Sequence, residues 1–236
     1  MTFSMKRVSA ILHKDYKDVS RNMYVATTVF LPLILAAFYG RMGVEDVQSH
    51  YMIINLTFVL VATYVQSSLI AEEKEKNTLR GLMLSPASTL EIFCGKSLLS
   101  LITTIIIMLL SVSLMDYNPS NSLLIIIAMF LSAIFYLGLG TMIGLLTKSV
   151  MEASVAVMPA MAIFTFGSMV TPFVEKYPIL AIAEYMPNLQ LIDLANQVEA
   201  GASLAEVGSN LVIIVLWSIA IYALCMYLYK KSMVDE

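Results

Sequence analysis

Six stretches of this chain contain no Asp, Glu, Lys or Arg: residues 23–39, 51–71, 98–115, 122–146, 153–174 and 211–229. Each is close to the ~20 residues that a helix needs to cross about 30 Å of hydrocarbon. Lipid offers no partner to a backbone N–H or C=O, so runs of this kind can only be helices. Buried helices of a soluble protein do not fit. Only 13% of the residues are charged and 59% are apolar, which leaves too little polar chain to cover six such helices. A net charge of −3 also argues against a nucleic-acid partner. The fold class expected is an all-α membrane protein with six transmembrane helices.

An even number of spans puts both termini on one side. If that side is the cytoplasm, twelve of the fourteen Lys and Arg are cytoplasmic, and only Arg41 and Lys176 lie outside. The acids divide almost evenly, as expected of a rule that counts bases alone. The expectation is a multi-pass plasma-membrane protein with both termini inside. The first run is expected to be an uncleaved span rather than a signal peptide, because 22 patterned residues precede it and five more runs follow.

The segments between the spans carry their own pattern. In residues 1–22, Val8, Ile11, Leu12, Tyr16 and Val19 share one helix face with Met23. Lys6, Arg7, Lys14, Lys17, Asp18 and Arg21 occupy the others, which predicts an amphipathic helix in the inner interface. Residues 72–97 form the longest cytoplasmic connection. There Leu79, Leu82 and Met83 line one side of a short helix, with Asn77 or Thr78 as its N-cap and Pro86 as its stop. Ser88 and Glu91 form a capping box for the third span. An apolar-faced helix this short is unstable in water, so it is expected to dock on a partner.

On the other side, Pro178 and Pro187 break the long connection 175–210. Leu191, Leu194, Ala195 and Val198 predict a helix face, with Asp193, Asn196 and Gln197 opposite, Gly201 as terminator and a second capping box at Ser203 and Glu206. Short outer helices partly dipped between the spans are expected there, whereas residues 116–121 predict a tight turn.

No catalytic engine is legible. Gly95-Lys96-Ser97 imitates the end of a phosphate-binding loop, but Leu90 stands where that motif requires glycine. Cys94 and Cys225 read as free thiols, and His13 and His50 do not suggest a metal or catalytic centre. Met158 and Met161 read as packing. No ionisable residue lies within a span, which weighs against proton coupling. The spans do hold mild polarity. Asn55 and Gln66 lie three turns apart on one face of the second span, and Ser97, Ser100, Thr104 and Ser111 form a stripe on the third. Gly140 and Gly144 form a close-packing pair, and Pro159 predicts a kink near Ser154 and Thr165. Helix packing and the lining of a substrate path both remain open; Asn55, Thr63, Gln66 and Thr165 are the path candidates.

The combination resembles the ABC-2 transporter permeases, the membrane subunits of bacterial ATP-binding-cassette exporters. The resemblance rests on Glu72-Glu73-Lys74-Glu75-Lys76-Asn77-Thr78-Leu79, followed by Leu84-Ser85-Pro86 and Gly95-Lys96, with Asn77 at the family's usual glycine. A second part is the run from Phe166 through Thr171-Pro172-Phe173, with Pro187-Asn188 and Gly201, which is similar to the family's re-entrant outer helices. It implies one permease domain covering 1–236: an elbow helix over 1–22, a coupling region over 72–97 and a re-entrant region over 175–210. It further implies ATPase-coupling residues Glu72, Glu73, Thr78, Leu79, Arg80, Leu82 and Met83. The implied partners are two copies of a separate ATPase, which would hold the ATP and Mg, and a second permease subunit, as homodimer or heterodimer. This chain would bind no cofactor and no metal, and would export an amphipathic peptide, antibiotic or other hydrophobic compound. An ATP-independent carrier or channel and a peptide-binding immunity protein are the competing readings.

Overall fold

A computed structural model describes residues 4–78, 81, 85, 87–169 and 176–235. Among these there is no β-strand, and six helices are long and apolar enough to cross a membrane: Val25–Met42, Val47–Glu75, Glu91–Leu114, Ser122–Leu146, Val150–Met169 and Leu204–Lys230. These are the six runs that lack charge.

The second span is the axis of the bundle. Its most apolar 18-residue window is entirely buried within the protomer, against 17–28% for the first, third, fifth and sixth spans. Those four turn rows of apolar side chains outward, among them Ile106 and Leu109, Met151 and Val155, and Leu216 and Ile219. An outward-facing apolar row is what lipid requires. The fourth span leans directly on the second. A Cβ at Gly140 would lie 2.4 Å from the Thr63 carbonyl oxygen, and one at Gly144 2.8 Å from that of Ser67. The glycine pair lets the two backbones approach closer than any side chain permits.

Local signals explain the element ends. The first span is broken at Phe30, between helices Met23–Val29 and Leu31–Met42, where Pro32 has no N–H to carry the ladder on. The second span contains a π-helical turn over Phe58–Thr63. The third begins with the Ser88–Glu91 capping box in full. The fifth runs as helix through Pro159 from Val150 to Phe166. After a 3-10 segment, Pro178–Tyr185, the helix Pro187–Glu199 buries Leu191, Leu194, Ala195 and Val198 against the sixth, fourth and second spans. Gly201, at φ +90°, then turns the chain into the sixth span.

Two local expectations need correction. Asn77 lacks the extended backbone that an N-cap takes. It sits at φ +54° as the residue that closes the second span. Its N–H donates to the Lys74 carbonyl, and the Thr78 N–H donates to that of Glu73. This is a Schellman closure, for which Asn is the common alternative to Gly. The Thr78 hydroxyl meanwhile donates to Glu73. The second correction concerns the amphipathic helix Met5–Arg21, which buries Val8 and Ile11 but leaves Tyr16 60% exposed. Asp15 occupies the buried position instead, for a reason found in its partners.

Candidate functional site

The charged residues at the end of the bundle that holds both termini are interlocked rather than dispersed. Lys96, near the base of the third span, projects its ammonium between two helices. It donates to Asp15 Oδ1 of the interfacial helix at 2.6 Å and to Glu73 Oε1 of the second span at 2.6 Å. All three side chains are at most 4% exposed. Glu73 also accepts from Lys14 and from the Thr78 hydroxyl. A buried charge is tolerable only when paired and hydrogen-bonded; this cluster supplies the pairing from three helices at once, while Asp15 Oδ2 has no partner among the described residues. Burial pushes the Asp15 carboxyl up to about 6, against the opposing pull of Lys96.

A second clamp holds the start of the same helix. Arg7 donates to both oxygens of Glu91, Nε to Oε2 at 3.1 Å and Nη2 to Oε1 at 2.7 Å. Glu91 also takes the Ser88 N–H of its capping box and the Ser4 N–H. Between the two clamps, Gly95 leaves room for Ile11; an added Cβ would lie 2.9 Å from that side chain. The Gly95-Lys96-Ser97 sequence that imitates a nucleotide loop is therefore a docking surface for the interfacial helix. Ser97 ties the same turn to the second span, accepting from Gln66 at 3.3 Å.

The stalk that leaves the second span is tied to a third place. Lys74 Nζ donates to the Leu145 carbonyl at 2.6 Å, and Glu75 accepts the Val150 N–H at 3.0 Å. Lys76 pairs with Glu72 and, at 3.7 Å, with Asp18. The residues just before the proposed coupling segment thus contact the interfacial helix, the third span and the turn between the fourth and fifth. Of the sequence candidates, Glu72, Glu73 and Thr78 belong to this assembly. Leu79, Arg80, Leu82 and Met83 lie outside the described residues, as does the 170–175 part of the predicted outer run.

The polar residues within the spans are placed differently. Asn55 Oδ1 accepts from the Tyr136 hydroxyl at 3.1 Å, Thr63 donates to the Tyr136 carbonyl at 2.9 Å, and Gln66 donates to Thr141 at 3.1 Å. All three residues are 0% exposed. In this conformation they join the second span to the fourth. Phe58 stacks on Tyr136 with ring centroids 4.9 Å apart, so the π-helical turn and Tyr136 form one packed unit. Thr165 is also buried, and its hydroxyl has no partner among the described residues.

Sequence reasoning missed Arg7, Asp15, Glu91 and Lys96 as site residues. A signal for Asp15 was available, since it lies four residues after Ile11 and hence on the buried face.

The ABC-2 family transporter protein pattern matches residues 43–227. The match covers the second span, the charged stalk, the third to fifth spans, the short helices after them and most of the sixth. No curated protein gives a significant match. With six membrane-crossing helices and more than half its length matched, the chain belongs to the ABC-2 family of transporter proteins, as a multi-pass membrane permease.

Proposed function

We propose that this permease is the membrane half of an ATP-driven exporter whose ATPase subunits are separate chains. Two permease subunits, identical or paired, face each other in the plasma membrane with their termini in the cytoplasm. A pair of ATPases holds the ATP and Mg and docks on the segment around Leu79–Leu84. The substrate path runs between the permease subunits, and the cargo is an amphipathic peptide, antibiotic or other hydrophobic compound. Asn55, Thr63 and Gln66 would enter that path only after the second and fourth spans separate.

The observation that carries this reading is the Lys96 node. The docking segment emerges within a few residues of Glu73, and Glu73 is bonded to the interfacial helix and the third span together. A push on the segment therefore reaches three helices without passing through a flexible linker. Charges buried this completely resist being parted, so the node transmits displacement.

The test is co-purification of the full chain with the ATPase encoded beside it. Leu82→Asp places a charge in an apolar docking contact and should reduce recovery of the ATPase by at least tenfold, with membrane insertion unchanged. Recovery at the wild-type level sinks the coupling assignment. Transport by the chain alone in liposomes, without nucleotide, favours an ATP-independent carrier instead.

A further inference from the structure

The end of the bundle opposite the termini holds a cavity of about 520 Å³ between the tips of the first three spans and the helix Pro187–Glu199. Among the described residues three carboxylates line it, Glu45, Asp116 and Glu199, and no Lys or Arg does. His50 also lines it. That side chain is only 4% exposed, and neither ring nitrogen has a partner among the described residues. A buried imidazole with both nitrogens unused is costly unless something comes to meet it.

The ring is held in place rather than loose. His50 packs on Tyr117 with centroids 4.9 Å apart. The Tyr117 hydroxyl lies 3.3 Å from Glu199 Oε1 and 3.4 Å from the Tyr51 hydroxyl. Glu199 in turn accepts from the Ser120 N–H at 3.3 Å and from the Ser120 hydroxyl. Burial pushes the Tyr117 phenol up to about 12, so it remains a hydrogen-bond donor toward Glu199. Val47 and Met115 supply an apolar wall.

The chemistry that suits this lining is narrow. Carboxylates accept hydrogen bonds, as does an imidazole nitrogen that carries no proton, so the complement is a cation rich in N–H donors. A bare metal ion fits poorly, since no three of the His, Cys, Asp and Glu among the described residues converge closely enough to hold one. The volume lies within the ordinary range for organic ligands. The segments joining the spans at this end carry eight acids against Arg41 and Lys176, a field that attracts cations. Asp46, just before the second span, adds to that field beside His50.

We propose that this cavity binds an organic primary ammonium group, donated either by a soluble amine or by the headgroup of an ethanolamine lipid. The ammonium sits between Glu199 and the free nitrogen of His50, and its hydrocarbon portion lies along Val47 and Met115. Binding needs no ATPase, so the site stands or falls independently of the coupling reading.

The experiment uses the full chain in phosphatidylcholine nanodiscs, whose choline headgroups have no N–H to donate. The probe is dansylcadaverine, titrated by fluorescence with empty nanodiscs subtracted, beside an analogue ending in a hydroxyl. Saturable binding of the amine alone is expected. It should weaken at least tenfold in His50→Phe, which keeps a ring against Tyr117, and in Glu199→Gln, which keeps the hydrogen bonds at Ser120. Glu206→Gln, outside the cavity, should bind as wild type. Equal binding of the hydroxyl analogue, or wild-type affinity in both cavity variants, overturns the proposal. Displacement by phosphatidylethanolamine doped into the disc assigns the site to lipid, and displacement by a soluble lysine peptide assigns it to an amine cargo. Displacement by neither also overturns it.

Discussion

Lys96 Nζ stands 2.6 Å from Asp15 Oδ1 and 2.6 Å from Glu73 Oε1, so one ammonium joins the interfacial helix to the end of the second span. The three residues are far apart in sequence and meet only in the folded bundle. Their bonds therefore report on tertiary docking, not on helix formation.

Removing the cation should be severe. Lys96→Met leaves two carboxylates facing each other, Asp15 without its cation and Glu73 with Lys14 alone, a loss on the order of 3–5 kcal/mol. The measurement is thermal unfolding of the detergent-solubilised protein, followed by reaction of the buried Cys225 thiol in a Cys94→Ser background. The midpoint should fall by several degrees. Adding Asp15→Asn to Lys96→Met should recover part of the loss, and no recovery would show that Lys96 acts alone.

Acidity acts on the same node with a definite sign. The Asp15 carboxyl ionises near pH 6 in the folded protein, above its ordinary value of 3.8. The folded state therefore binds the proton more tightly than the unfolded state, and between these two values acidification stabilises it through Asp15. Above pH 6 the ionised form carries a penalty on the order of 2–3 kcal/mol. Asp15→Asn should accordingly be at least as stable as wild type at pH 8. The difference between the two should shrink as pH falls through 6 toward 4. A pH-independent difference would show that Asp15 titrates normally.

The glycine contact between the second and fourth spans gives a contrast of sign within one chain. Gly140→Ala must displace the Thr63 backbone or the fourth span, and should cost about 1–3 kcal/mol. Gly208→Ala, in the sixth span, meets nothing within 4 Å. It should be neutral or stabilising by up to about 1 kcal/mol, because alanine favours the helix. Measured side by side, the Gly140→Ala midpoint should fall while the Gly208→Ala midpoint holds or rises.

The amide of Asn55 tests the axis itself. Tyr136→Phe removes the donor to Asn55 Oδ1 and should cost about 1–2 kcal/mol. Asn55→Leu, combined with it, should show a coupling of about 1 kcal/mol in a double-mutant cycle. Additive effects would mean that the bond contributes nothing in the membrane.

Much of this architecture is written in single residues. Charge-free runs mark the spans because lipid tolerates nothing else. Ser88 and Glu91 mark the third helix start because a capping box needs only four consecutive positions. Asn77 misleads for a physical reason: the residue types that cap a helix start also tolerate the left-handed backbone that ends one. Asp15 sits on the Ile11 face by its spacing, but what makes a buried carboxylate there acceptable in place of Tyr16 is Lys96, 81 residues away in the sequence. Lys96 itself was disguised by a sequence that resembles a nucleotide loop. His50, Tyr117 and Glu199 come from three separate connections, so only the fold brings them to one cavity.

The complete burial of the most apolar stretch of the second span separates that stretch from the bilayer in a mechanical sense. At 1.5 Å per residue the span's 29 residues reach about 43 Å, well beyond the ~30 Å of hydrocarbon. Since its middle meets no lipid, changes in bilayer thickness act on the other spans and reach it only through them. A change in bilayer thickness that tilts those helices therefore loads their contacts with the second span, the Lys96 node among them.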